Sequence, residues 1–180
     1  MRLSKASQYG VGLIEVLVAL LLLAIAVLGY SALQMTAIKL TNESAKRTTA
    51  NLIMQQLGQT VRANPSAIHV FSNQINQRSS ASVAKPNQLC GFELSSSGTS
   101  NLCTAQQLAA AEAYVITKKT QQTGLTIQMI PCPTNQRQGV YCAIIAWQNT
   151  LAIVGEGLNA CVNHKGVYHP NTTCLIAELS

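Results

Sequence analysis

The feature that most constrains this chain is a long apolar stretch near its N-terminus, interrupted by a single acidic residue. Residues 10–34 read GVGLIEVLVALLLLAIAVLGYSALQ, and Glu15 is the one charged residue among them. From Val16 to Leu33, about eighteen residues at about 1.5 Å each give a helix of about 27 Å, close to the thickness of a hydrocarbon core. The stretch therefore predicts a helix that can cross a membrane.

The presence of Glu15 in this apolar helix needs an explanation. A carboxylate inside a membrane helix costs about 2.5–3.5 kcal/mol on insertion scales, so such a residue is first treated as functional, with a partner to be named. Two other interpretations stay open. In the first interpretation, Glu15 lies at the headgroup boundary of the membrane. In the second, the stretch is a secretory signal with Arg2 and Lys5 as its basic region and cleavage before Ala32. A charge near the start of the apolar run argues against the signal.

The residues from Gly10 to Glu15 resemble the prepilin signal of type IV pilins and type II secretion pseudopilins, which is typically Gly followed by Phe-Thr-Leu-Ile-Glu. This chain has Val11 where the family usually has Phe or Met, and Gly12 where it usually has Thr. The run that follows is most similar to the minor pilins of the PilV family. The resemblance implies cleavage after Gly10 and methylation of the new N-terminus at Val11, so residues 1–10 form a leader peptide and the helix is retained.

Cleavage would give Glu15 a partner. It creates a positive amine on Val11, four residues before the carboxylate. In a bundle of parallel helices, the amine of one chain can meet Glu15 of the next, and each charge then neutralises the other. We expect this assembly salt bridge to bias the register between subunits.

The helix is predicted to continue beyond the membrane. Apolar residues recur at helical spacing before Asn64-Pro65 supplies a stop, namely Ala50, Ile53, Met54, Leu57 and Val61. The prediction is one helix over residues 11–63, with 11–34 as the membrane and assembly segment and 37–63 packed on a globular head of residues 64–180.

The head is predicted to contain a second, shorter helix and a small sheet. Ser66 to Ser100 reads as a long irregular connection. Thr104 to Gln107 is a capping-box pattern that starts a helix running to Lys118-Lys119, with Gly124 as the stop. Four strands are expected over residues 125–130, 140–148, 151–154 and 174–179. The fold class is α+β and pilin-like, with the long helix packed on a small antiparallel sheet.

Six cysteines lie beyond the apolar stretch, and none forms a Cys-x-x-Cys pair. Disulfides in an oxidising periplasm are therefore favoured over a zinc or redox site. Six cysteines allow 15 pairings, and the sequence alone does not select one. Because they fall into three successive pairs around short loops, we favour Cys90 with Cys103, Cys132 with Cys142, and Cys161 with Cys174.

No catalytic constellation is predicted. The chain has no Asp, its six Glu are not paired, and His69, His164 and His169 fall in polar segments where surface positions are expected. No cofactor or metal site is expected, and Trp147 is assigned to the core. The net charge is +6, but the basic residues are scattered, which does not favour specific DNA binding.

The predicted function is that of a non-enzymatic minor pilin, a structural subunit of a type IV pilus that acts in assembly initiation or at the tip. The resemblance implies a prepilin peptidase, other minor pilins and the major pilin as partners, with roles in twitching motility, adhesion and, in some pilins, DNA uptake. The protein would reside in the inner membrane with its head in the periplasm, then in the extracellular pilus. Two alternatives stay open: a minor pseudopilin of a type II secretion system, and a membrane-tethered enzyme or binding module.

Overall fold

The computed structural model describes residues 12–79, 90, 103–133 and 139–179. The chain divides into two units, Met1–Glu43 and Ser44–Ser180. The elements in chain order are helix α1 (Leu13–Ala63), a short 3-10 turn (Pro65–Ala67), helices α2 (Ile68–Ser79) and α3 (Ala105–Gln122), and strands β1 (Thr126–Pro131), β2 (Tyr141–Ala146), β3 (Leu151–Val154), β4 (Ala160–Val162) and β5 (Cys174–Leu179). The fold class is α+β, as predicted.

The long helix α1 ends at the residue that the sequence predicts, and its first helical residue is Leu13, two residues after the predicted start at Val11, which lies outside the described residues. It is 51 residues long and ends at Ala63, directly before Asn64-Pro65. In the first unit, the side chains from Gly12 to Asn42 are exposed. In the second unit, one face of α1 is buried, and its buried residues are Ala50, Ile53, Met54, Leu57, Gly58 and Val61. Their spacing of three and four residues gives a single apolar stripe that joins the core of the head.

The expectation of an irregular connection over residues 66–100 is wrong for its first part. Ile68–Ser79 forms α2, which follows the 3-10 turn. Phe71 and Ile75 lie four residues apart, about one helical turn, and both are fully buried. This mostly polar helix therefore packs on the core through two apolar side chains on one face. Of the rest of the connection, Cys90 alone is among the described residues.

The second predicted helix is α3, and its start is the predicted capping box. The Gln107 N–H donates to the Thr104 hydroxyl, and the Thr104 N–H donates to Gln107 Oε1 at 2.9 Å. The helix ends at Gln122, and Gly124 follows with φ +67°, a backbone conformation that glycine adopts without strain. Both helix boundaries follow from local backbone chemistry.

The sheet arrangement is richer than the predicted single antiparallel sheet. Strands β1, β2 and β5 form an antiparallel sheet in the order β1-β2-β5. Strand β3, although predicted, does not join this sheet. It pairs in parallel with β4, which the sequence analysis missed. Strand β4 has only three residues, too few for an alternating pattern to be visible.

The three-stranded sheet separates two apolar cores within the second unit. On one face, Ile127, Met129 and Ile145 pack with residues of the three helices. On the other face, Ile144 and Ala146 pack with β3 and β4. Trp147 belongs to the first core and is buried, as predicted. The head is thus a layer of helices, a central sheet and a small outer sheet.

Three disulfides connect the segments of the head. They join Cys90 to Cys103, Cys132 to Cys142, and Cys161 to Cys174, the same three successive pairs that the spacing favours. Cys142 lies in β2 and Cys132 directly follows β1, so one bridge closes this strand pair. Another bridge joins β4 to the start of β5 and lies in the second core.

Candidate functional site

The candidate assembly site lies at the N-terminal end of α1. Glu15 is in the first helical turn, its side chain is exposed, and its backbone N–H donates to the Gly12 carbonyl at 3.0 Å. A carboxylate in the first turn interacts favourably with the helix dipole. Gly10 and Val11, the predicted cleavage and methylation positions, lie outside the described residues.

After Glu15, the helix presents an apolar surface that carries no charged side chain before Lys39. Its large side chains from Leu13 to Leu40 are exposed, in contrast to the buried stripe that starts at Ala50. Among the described residues, α1 is the one helix long and apolar enough to cross a membrane. The first unit therefore exposes a surface suited to lipid or to apolar helices of other subunits.

Two aliphatic hydroxyl groups along this surface, those of Ser31 and Thr36, are satisfied within the helix itself. Ser31 Oγ donates to the Val27 carbonyl at 2.8 Å, and Thr36 Oγ1 donates to the Ala32 carbonyl at 3.1 Å. A hydroxyl bonded to a carbonyl one turn earlier needs no water and no partner helix. Glu15 is the one charged side chain among residues 12–38, so it calls for a partner from outside the helix.

The histidines occupy separate places in the head. His69 is exposed on α2, and its Nδ1 lies 3.0 Å from the Tyr141 hydroxyl. His164 is exposed, whereas the Nε2 of His169 lies 2.8 Å from the Gly155 carbonyl. Among the described residues, no group of three His, Cys, Asp or Glu side chains is placed to hold a metal ion.

An open groove with mixed lining lies in the described part of the head, and no motif in the sequence predicts it. It has a volume of about 640 Å³ and lies between the outer face of β1 and strand β3. Its lining residues are Gln128, Ile130, Pro131, Pro133, Ile153, Val154 and His164. Among the described lining residues, His164 is the single titratable side chain. These residues therefore do not form a pair of acid and base.

The sequence Asn171-Thr172-Thr173 matches the acceptor pattern for N-glycosylation, but its third residue has a structural role. The Thr173 hydroxyl donates to the Trp147 carbonyl at 2.5 Å, and the Thr173 N–H donates to Thr150 Oγ1 at 2.9 Å. These bonds fix the segment before β5 against the end of β2. The presence of Thr173 in the Asn171-Thr172-Thr173 pattern is therefore explained by its role in the fold.

Two family models match the chain, and together they extend from the leader into α3. Residues 5–31 match the prokaryotic N-terminal methylation motif, and residues 32–114 match the family described as Type IV pilin Tt1218. The chain is thus similar to a type IV pilin family over residues 32–114 and carries a methylation motif directly before them. No significant match was found among the curated proteins or among the solved structures.

The pilin matches cover the candidate site and part of the head. The methylation motif includes Glu15 and the exposed apolar surface, and the pilin model includes the buried part of α1, all of α2 and the first half of α3. Pilins are structural proteins, so the family supports a pilin subunit rather than an enzyme. The methylation motif implies processing by a prepilin peptidase and assembly with other pilins, and it is consistent with anchoring in the inner membrane.

Proposed function

We propose that this protein is a minor pilin similar to the PilV family, a subunit of a type IV pilus that acts in assembly initiation or in the tip complex. The observation that carries the proposal is the methylation motif at residues 5–31, placed on a helix whose exposed apolar face continues to Leu40. A secretory signal would be removed and would leave this face without a role.

Processing is the first step of the proposed function. A prepilin peptidase cuts after Gly10 and methylates Val11, which removes Arg2 and Lys5 and lowers the formal net charge from +6 to +4. The mature N-terminus then lies four residues before Glu15. The retained helix holds the protein in the inner membrane, with the head in the oxidising periplasm where its three disulfides form.

Assembly follows from the pairing of two charges on different chains. Glu15 is the one charged side chain among residues 12–38 and is exposed, and the hydroxyls of Ser31 and Thr36 are bonded within the helix. In a low-dielectric bundle a single carboxylate is costly unless a cation pairs with it. The methylated amine of Val11 on a neighbouring subunit, either another minor pilin or the major pilin, is the cation at the right distance along the chain. This pair would hold the subunits in register.

The proposal is tested by the mature N-terminus and the location of the protein. Intact-mass measurement of the membrane-extracted chain should give a form that starts at N-methylated Val11, and the same form should occur in sheared surface filaments. Gly10→Leu should block processing and exclude the chain from filaments. Gly12→Ala is the matched control, because a Cβ at Gly12 meets only Ile14 at an ordinary 3.9 Å. A mature chain starting at Ala32 would contradict the proposal.

A deletion strain separates the proposal from its closest alternative. Loss of surface pili and of twitching supports the pilus assignment. Normal pili with a defect in protein secretion would instead indicate a minor pseudopilin of a type II secretion system. Normal pili and normal secretion would favour a membrane-tethered enzyme or binding module.

A further inference from the structure

Glu112 lies midway along α3, between two hydrogen bonds that hold this helix in the head. Ala105 and Lys119 are each seven residues away from it, and seven residues are about two helical turns, so all three lie on one side of the helix. The Ala105 carbonyl accepts from Asn64 Nδ2 at 2.7 Å, and Lys119 Nζ donates to Gln56 Oε1 at 3.1 Å. Glu112 therefore sits between one contact to Asn64, which directly follows α1, and one contact to Gln56 of α1.

The carboxyl group of Glu112 is poorly accommodated at this position when it is charged. Its Oε2 atom is buried and has no hydrogen-bond partner among the described residues. Burial raises the pKa of this carboxyl above its ordinary value of 4.5. A buried oxygen without a donor penalises the ionised form, whereas the protonated form carries no charge to desolvate.

The charged groups of the surrounding elements do not relieve this penalty. Desolvation is the cause of the raised Glu112 pKa, without an opposing contribution from a cation. On α1, Lys46 donates to the Thr123 carbonyl at the far end of α3, and on α2, His69 bonds Tyr141. Strand β1 and the 3-10 turn carry no titratable side chain. The other titratable or charged residues of α3 and of the parts of α1 and α2 that belong to the second unit are Arg47, Arg62, Arg78, Tyr114, Lys118 and Lys119.

We propose that protonation of Glu112 tightens the docking of α3 in the head, which makes the packing of this helix pH-sensitive. In the unfolded or undocked state the carboxyl titrates near its ordinary value, and in the docked state it titrates at a higher pH. The stabilisation is therefore fully present below the ordinary pKa and is lost as the pH rises through the raised pKa. Docking is weakest at neutral and alkaline pH.

Hydrogen exchange of the full chain in detergent micelles tests this proposal. Amide exchange in α3 is measured between about pH 4 and about pH 8 and corrected for the intrinsic dependence of exchange on pH. We expect slower corrected exchange at low pH. Glu112→Gln should abolish the difference in corrected exchange between low and high pH. At about pH 8, α3 of this variant should exchange as slowly as α3 of the parent does at about pH 4. Glu156→Gln, which changes an exposed carboxyl in the β3–β4 connection, is the matched control and should keep the pH dependence.

Three outcomes would overturn the proposal. The first is corrected exchange in the parent α3 that does not change with pH, a result that needs no variant. The second is a pH dependence that persists in Glu112→Gln, which would assign it to another group. The third is a pH dependence that disappears in Glu156→Gln as well, which would show that it is not specific to Glu112.

Discussion

The side-chain amide of Asn76 pairs with both backbone polar groups of Met129. The Met129 N–H donates to Asn76 Oδ1 at 2.9 Å, and Asn76 Nδ2 donates to the Met129 carbonyl at 2.7 Å. Met129 is in β1, which is an edge strand in the order β1-β2-β5. Helix α2 thus supplies the bonds that a neighbouring strand would make. Unpaired strand edges are templates for unwanted pairing with other chains, so this contact protects the head.

Asn76→Ala is expected to destabilise the head by about 1–3 kcal/mol, because it leaves the N–H of Met129 without its partner at a partly buried edge. Thermal unfolding of the full chain in detergent measures the loss, and hydrogen exchange at Met129 should become faster. Asn73→Ala is the matched control, since Asn73 is exposed on the same helix. Equal effects of the two substitutions would show that the edge contact does not stabilise the fold.

Phe71→Ala is expected to destabilise the head by about 3–5 kcal/mol, the usual cost of removing a fully buried aromatic ring from a core. The ring belongs to the same core as Ile53 and Leu57 of α1. Limited proteolysis of the membrane-extracted protein should show a more easily cleaved head. Gln77→Ala, an exposed change on α2, should leave the cleavage pattern unchanged. A stable Phe71→Ala head would contradict the assignment of α2 as a core element.

The elements that the sequence predicted are those with strong local signals. Helix α3 starts at a capping box, and α1 combines a long apolar run with a stripe that ends before Pro65. Helix α2 lacks such a signal because Ser72 and Asn76, both polar, turn towards the backbone of β1. Inward-facing polar residues break the amphipathic pattern from which helices are recognised.

The pairing of β3 with β4 could not be predicted from the sequence for a different reason. The choice between joining the main sheet and forming a second one depends on contacts between distant segments, such as those of Ile144 with the outer strands. Glu15 was identified as a candidate because its charge conflicts with the apolar surroundings. Its proposed partner belongs to another chain, so the fold of a single chain holds only half of that site.

Replacing both Cys161 and Cys174 with Ala is expected to destabilise the head by about 3 kcal/mol, the chain-entropy value for a short loop. The bridge spans 13 residues, and both sulfurs lie in the second core with Ile144 and Val162. Chemical denaturation of the oxidised parent and the variant measures the difference. Peptide mapping of the parent without reduction should recover this pair and detect no free thiol. Crossed pairs in the map would show that the exported protein adopts another connectivity.

Glu15→Ala is expected to insert into the membrane at least as readily as the parent, because it removes a charge that is costly in an apolar helix. We also expect normal removal of residues 1–10. Assembly should nevertheless fail, since the amine of a neighbouring Val11 would be left without its carboxylate. The measurement is the amount of the protein in sheared filaments relative to membranes, together with pilus counts in a strain without the native copy.

The matched control for this prediction is Glu156→Ala, which removes an exposed carboxylate from the head and leaves α1 unchanged. It should enter filaments like the parent. Glu15→Gln adds a second comparison, because it keeps the size and polarity of the side chain but cannot neutralise an amine. If charge pairing sets the register, Glu15→Gln should fail to assemble as Glu15→Ala does. Normal filament content for both Glu15 variants would show that the carboxylate has no part in assembly, and loss of membrane insertion would place its role at an earlier step.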